Sequence, residues 1–181
     1  MNYKKYIVVT NLIVVLVYFG MTVFNKETIL KEGELVLLEL APVDPRSLMQ
    51  GDYMKLSYKI VQSSYIDDIT ANNDTVRVSS VLDPNSENSI SKRGYLVIQL
   101  DENGVGKGVR FFSKNEPLKE GELLVKYFKP DWRLNIGAES YFFQEGDREK
   151  FEKAKYGGLR IDKEGNSILI GLYDGDRKLI Y

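Results

Sequence analysis

The chain has 181 residues, room for one domain and an appendage, with 25 basic and 26 acidic side chains and a formal net charge of −1. So balanced a surface carries neither the basic footprint of a nucleic-acid binder nor a polybasic membrane patch. Cysteine and histidine are both absent, which excludes disulfides, thiolate chemistry, the usual zinc ligands and Ser-His-Asp triads, and no motif asks for a cofactor or metal.

Residues 1–6 read as a short tail carrying Lys4 and Lys5, followed by an uncharged apolar run from Ile7 to Phe24. At a helical rise of 1.5 Å that run reaches about 27 Å, close to the hydrocarbon thickness of a bilayer. Tyr3, Tyr6, Tyr18 and Phe24 lie at or near its ends, where aromatic belts sit. A cleaved signal peptide has an apolar core of about 7–15 residues closed by small side chains. Gly20-Met21-Thr22, followed by Val23-Phe24, is a poor cleavage site. A buried soluble helix with no polar face needs a large core around it. The run is therefore read as a retained signal-anchor crossing the lipid bilayer once. Lysines are two against two across the span, so the short tail, not the charge bias, is what argues for an exported C-terminal domain at the cytoplasmic membrane. Residues 25–33 read as a linker, and 34–181 as an extracytoplasmic domain.

Beyond the linker, short runs rich in β-branched and aromatic residues recur between turn signals. The first expected strand is Leu35–Leu40. Pro45 then favours extended backbone at Asp44, and Gly51-Asp52 is a turn signal. From Tyr53 to Val61 the pattern alternates, with Met54, Leu56, Tyr58 and Ile60 on one face. Further strands are expected at Thr75–Val81, Tyr95–Leu100, Gly108–Ser113, Leu123–Phe128, Leu134–Phe143, Gly158–Ile161, Ser167–Tyr173 and Lys178–Ile180. Residues 83–93 read as an exposed loop. Asp101-Glu102-Asn103-Gly104 and Asp162 to Asn166 read as hairpin turns, with a further turn at Asp174-Gly175-Asp176. The first of these lacks the spacing and later Glu of a calcium loop. One short charged helix is expected from Asp147 to about Lys155, with Phe151 and Ala154 to pack. The fold class is mainly β with one short helix, an antiparallel sheet or partly closed barrel preceded by a single N-terminal transmembrane helix.

Two separated segments carry a specific resemblance. Gly51-Asp52-Tyr53-x-x-Leu56-x-Tyr58, preceded by Asp44-Pro45-Arg46, resembles the signature of the bacterial GDYXXLXY family, membrane-anchored proteins of unknown function. Gly137-Ala138-Glu139-Ser140-Tyr141-Phe142, closed by Glu145-Gly146, resembles that family's second motif, with Gln144 where many relatives have Pro. The resemblance implies the location and the β fold, and supplies no catalytic residue. It also implies a partner, because relatives are commonly encoded beside a polytopic membrane protein.

The candidate site residues, binding or structural, are therefore Asp44, Arg46, Gly51, Asp52, Tyr53, Leu56 and Tyr58 with Gly137, Glu139, Tyr141, Phe142, Glu145 and Gly146. A carboxylate at Glu139 among apolar neighbours is costly to bury unpaired, so an ion pair with Arg46, Arg110, Arg133 or Arg160 is expected to join the motifs. Trp132 either caps the core edge or meets a partner. The favoured reading is a non-enzymatic accessory subunit of a polytopic membrane protein. One alternative is a hydrolase similar to Ser-Lys signal peptidases; against it, residues 38–44 hold no Ser, Ser47 and Ser57 are misplaced, and no Lys lies on an evidently apolar strand face. Another is an envelope ligand-binding module with a groove near Asp44, Arg46, Asp52 and Glu139.

Overall fold

The computed structural model describes residues 3–41, 53–62, 91–113, 116–131, 133–144 and 146–181. The apolar run lies in helix α1, Tyr3–Glu32, a single helix of 30 residues in which only Ile29 is buried. No Gly or Pro interrupts the chain between Phe24 and Glu32, so nothing stops the helix at the end of the apolar run. Thr28 Oγ1 donates to the Phe24 carbonyl at 3.0 Å, and Lys31 pairs with Glu27 one turn back at 2.7 Å. The stretch 25–33 expected as a linker is thus helical through Glu32 and turns only at Gly33. There the Gly33 N–H donates to the Ile29 carbonyl at 2.9 Å, and Arg160 Nη1 donates to the Gly33 carbonyl at 2.7 Å.

Gly33 delivers the chain directly into β1 (Glu34–Glu39). The remaining elements are β2 (Tyr53–Lys55), a 3-10 turn at Lys59–Val61, β3 (Arg93–Leu100), β4 (Gly106–Phe111), β5 (Glu122–Phe128), β6 (Ser140–Phe142), a one-turn helix α2 (Arg148–Phe151), β7 (Tyr156–Ile161) and β8 (Ser167–Tyr173). They form three small antiparallel sheets, ordered β1-β7-β8, β2-β6 and β4-β3-β5. No closed barrel forms among the described residues. The two larger sheets meet twice. The Leu37 N–H donates to the Gly104 carbonyl at 2.9 Å, and the Lys126 N–H donates to the Gly165 carbonyl at 2.9 Å. All three sheets feed one core, in which Val36, Leu38, Leu96, Ile98, Val125, Leu159 and Leu172 are fully buried.

The turns follow one rule. Asp101, Asp162 and Asp174 each turn a carboxylate oxygen onto backbone N–H groups two to four residues ahead, at 2.7–2.9 Å. In the first two, Gly104 (φ 74°) and Gly165 (φ 79°) take the left-handed position. The two N–H donors at Asp101, from Val105 and Asn103, also hold its carboxyl below the usual carboxylate range.

Three expected strands are shorter than their apolar runs. The run from Tyr53 is regular only to Lys55, because the chain then changes partner. The Ala41 N–H donates to the Ser57 carbonyl at 2.7 Å, and Tyr58 bridges to Leu40 at the end of β1. In the run 134–143, Asn135 bonds both ways with Phe128 and Gly137 takes φ 81°, so pairing with β2 begins only at Ser140. Lys178–Ile180 is held beside β8 by single contacts, the Ile180 N–H donating to the Leu172 carbonyl at 2.9 Å. The helix expected over 147–155 is one turn, as its two apolar residues allow. Arg93, the end of the expected loop, already belongs to β3; Thr75–Val81 and Trp132 lie outside the described residues.

Candidate functional site where the two motifs meet

The two motifs, about eighty residues apart, are hydrogen-bonded neighbours. In β2 and β6, Tyr53 faces Phe142, Met54 faces Tyr141 and Lys55 faces Ser140. Past the end of β2, the Leu56 N–H donates to the Glu139 carbonyl at 2.8 Å. The alternation from Met54 survives the loss of regular strand: Met54, Leu56, Tyr58 and Ile60 are all at most 3% exposed.

Tyr58 is the centre of the assembly. Its side chain is fully buried, and its hydroxyl donates to the Ala138 carbonyl at 2.8 Å. Its ring lies against the backbone of β7 at Gly157, where a Cβ would come within 2.8 Å of the ring. Only glycine leaves that room. Burial pushes the Tyr58 phenol far above its ordinary range, and the nearby Glu139 carboxylate adds to the effect. At neutral pH this is a protonated phenol donating to a peptide carbonyl, a fastening between β7 and the two motifs.

Glu139 is half-buried, and its partners are peptide groups. Its Oε1 accepts the N–H groups of Ile136 and, at 3.0 Å, of Gly137. One carboxylate oxygen is thus engaged within its own turn, and among the described residues no ion pair forms with Arg110 or Arg160, while Arg46 lies outside them. Arg110 is taken by Glu122, and Arg160 by the Gly33 carbonyl. Gly137 is needed for the tight turn that aims both N–H groups inward.

The rest of the second motif divides by parity. Tyr141 and Phe143 turn inward onto Phe151 of α2, with ring centroids 5.2 and 5.3 Å away. Phe142 points outward and is 74% exposed. Gly146 takes φ 94° just ahead of α2. Leu56, Tyr58, Gly137, Glu139 and Tyr141 are therefore brought together, with the Tyr53 backbone paired beside them. Asp44, Arg46, Gly51, Asp52 and Glu145 lie outside the described residues, as does Ser47.

Sequence reasoning does not find the most buried charges. Arg110 Nη2 meets Glu122 Oε2 at 2.9 Å, with side chains 9% and 2% exposed, and Glu116 approaches Arg110 Nε at 3.3 Å. The Lys119 N–H and the Pro117 carbonyl complete the cluster. The available signal is parity: Gly106, Gly108 and Arg110 share the inward face of β4, an edge strand on which an inward charge discourages further pairing. Lys129, just past β5, is buried at 2% exposure, although its place beyond the end of a strand gives no sign of it in the sequence.

The GDYXXLXY protein family model matches residues 15–172, from within α1 to β8, across both motifs. The chain belongs to the GDYXXLXY family. No curated protein matches this GDYXXLXY protein, and no solved structure does. In it, the Tyr that ends the first motif and the Glu of the second are joined through the 136–139 turn.

Proposed function

We propose that this GDYXXLXY protein is a single-pass, non-enzymatic accessory subunit whose β head, outside the cytoplasm, engages a polytopic membrane protein. The observation that carries the reading is the junction at Gly33. Helix α1 carries an uncharged apolar run long enough to span a bilayer and none of that run is buried against the head, as a lipid-facing span requires. Yet its last turn is held to the head by buried Ile29 and by Arg160 of β7, which donates to the Gly33 carbonyl where the helix passes into β1. A head tethered this way is held at a set height and orientation above the bilayer. That suits a subunit that braces a neighbour in the same membrane better than one that searches for a soluble ligand on a loose tether. The described motif residues support the same reading, since Tyr58 and Glu139 hold the fold together instead of lining an open cleft.

The test is co-purification in mild detergent of the tagged full-length protein from its native membrane. The reading expects one integral-membrane protein at near-equal stoichiometry, lost when α1 is replaced by an unrelated transmembrane helix joined through a flexible linker. Purification of the chain alone from several detergents, with no adduct after cross-linking in intact membranes, would sink it.

A further inference from the structure

Where α1 leaves the head it does not lie flush against it. One face of its last two turns, carrying Phe24, Thr28 and Glu32 at helical spacing, stands opposite the β7–β8 turn and leaves a groove of about 750 Å³. Buried Ile29 and Ile161, with half-buried Leu123, form an apolar floor, and the groove closes at Gly33, where the helix enters β1. Burial fades along the helix away from that corner, from Ile29 at 5% exposure to Phe24 at 68%. The groove therefore opens toward the end of the apolar run. From Glu32 to Phe24 it extends about 12 Å along the helix, two turns of chain.

Acidic side chains predominate on its walls. Among the described residues, Glu32 and Glu34 stand on one side, Asp162 and Glu164 on the other, with Lys163 the one basic lining residue against these four carboxylates. The C-terminal end of α1 adds a negative pole at the same corner, offset in part by Arg160 on the Gly33 carbonyl. An apolar floor under acidic walls is complementary to a segment that is apolar on one side and basic on the other. A phospholipid headgroup fits less well, since its phosphate would face the same carboxylates that attract a cation.

We propose that this groove is the docking site for a basic, amphipathic, membrane-proximal segment of the polytopic partner, its Lys or Arg side chains set between Glu32 and Glu164. The inference rests on the accessory-subunit reading above and adds the surface that the partner uses.

The experiment places a photo-cross-linking amino acid at Asn25 or Thr28 on the groove wall, and at Leu30 on the opposite helix face, in the full-length protein in native membranes. The docking site predicts a discrete adduct from the two groove positions and none from Leu30. Peptide mapping then assigns it to a Lys- or Arg-bearing segment next to a transmembrane span. Charge reversal in the double variant Glu32→Lys, Glu164→Lys lowers the adduct at least tenfold, and reversing the mapped basic residue restores it. Among the described residues neither glutamate side chain makes a hydrogen bond, and an unchanged melting temperature confirms that the variant folds. Adducts to lipid only, to a second copy of this chain, or to a protein segment insensitive to the charge reversal overturn the groove. If the partner still co-purifies while cross-links arise from other faces, the groove fails and the accessory reading stands. If nothing co-purifies, both fail.

Discussion

The hydroxyl of Tyr58 donates a 2.8 Å hydrogen bond to the carbonyl of Ala138, eighty residues further along the chain. Around this one bond the last residue of the first motif, the turn of the second and the backbone of Gly157 come into contact. The motifs are thus two halves of one joint in the head, which holds β2 and β6 against the sheet that carries the anchor.

Tyr58→Phe keeps the ring and removes the donor, leaving a buried carbonyl without its partner. The expected loss is about 1–3 kcal/mol, read as a drop in melting temperature of roughly 3–10 °C for a head of this size. The same phenol makes stability depend on alkaline pH. Its folded pKa lies above its unfolded value of about 10, so its contribution is complete below pH 10 and is lost as pH rises beyond it. Tyr127, also raised by burial, acts in the same direction. Chemical denaturation between pH 9 and 11.5 should show a steeper decline in the wild type than in Tyr58→Phe. Parallel slopes would remove Tyr58 as the cause.

Glu139 separates a carboxylate's charge from its accepting oxygen. Glu139→Gln retains an oxygen for the Ile136 and Gly137 N–H groups and is expected to cost under about 1 kcal/mol. Glu139→Ala leaves two peptide donors unsatisfied in a half-buried turn, at a cost of about 1–3 kcal/mol. Equal losses in urea titrations of the two variants would show that the charge itself matters.

Glu122→Ala leaves the Arg110 guanidinium nine-tenths buried without its closest carboxylate. A loss of about 3–5 kcal/mol is expected for breaking such a pair, and much less for replacing both partners with apolar side chains, as in Arg110→Met with Glu122→Leu. Comparing the single and double variants by equilibrium unfolding decides it. A double variant no better than the single would place the Arg110 contribution in its contacts with Glu116 and the Pro117 carbonyl.

Gly33→Ala tests the clamp between anchor and head. An added Cβ would collide with the Ile29 carbonyl oxygen and lie 3.2 Å from the Ile161 backbone. The helix end must then shift, disturbing the bond from Arg160. Because the chain has no cysteine, spin labels can be placed cleanly at Lys26→Cys and Lys178→Cys. Their distance distribution should be narrow in the wild type and broad or displaced in Gly33→Ala. An unaltered distribution would mean that the junction tolerates the methyl group and the clamp lies elsewhere.

Elements whose cause is local are legible in the sequence. The apolar run declares a helix because its composition is uniform and unbroken, and the Asp101 and Asp162 turns declare themselves because Asp and Gly act on their own neighbours. Met54, Leu56, Tyr58 and Ile60 do share one buried face, although the strand around them is shorter than its pattern. The alternation records burial, and extended backbone satisfies it with or without a continuous partner. The expected linker fails for the opposite reason. Polarity after Phe24 marks the end of a lipid-facing surface, and a helix with no breaker continues past that point.

By itself the sequence determined the lipid-length helix, the antiparallel turns and the parity of the buried positions, all properties of residues a few positions apart. Tertiary structure alone decided that Tyr58 finds the Ala138 carbonyl, that Glu139 takes the peptide N–H groups of Ile136 and Gly137, and that Arg110 and Glu122 share a buried corner. Each depends on which distant backbone arrives beside the side chain. A carboxylate or phenol can be satisfied by any donor or acceptor of the right polarity, and only the path of the chain selects among them.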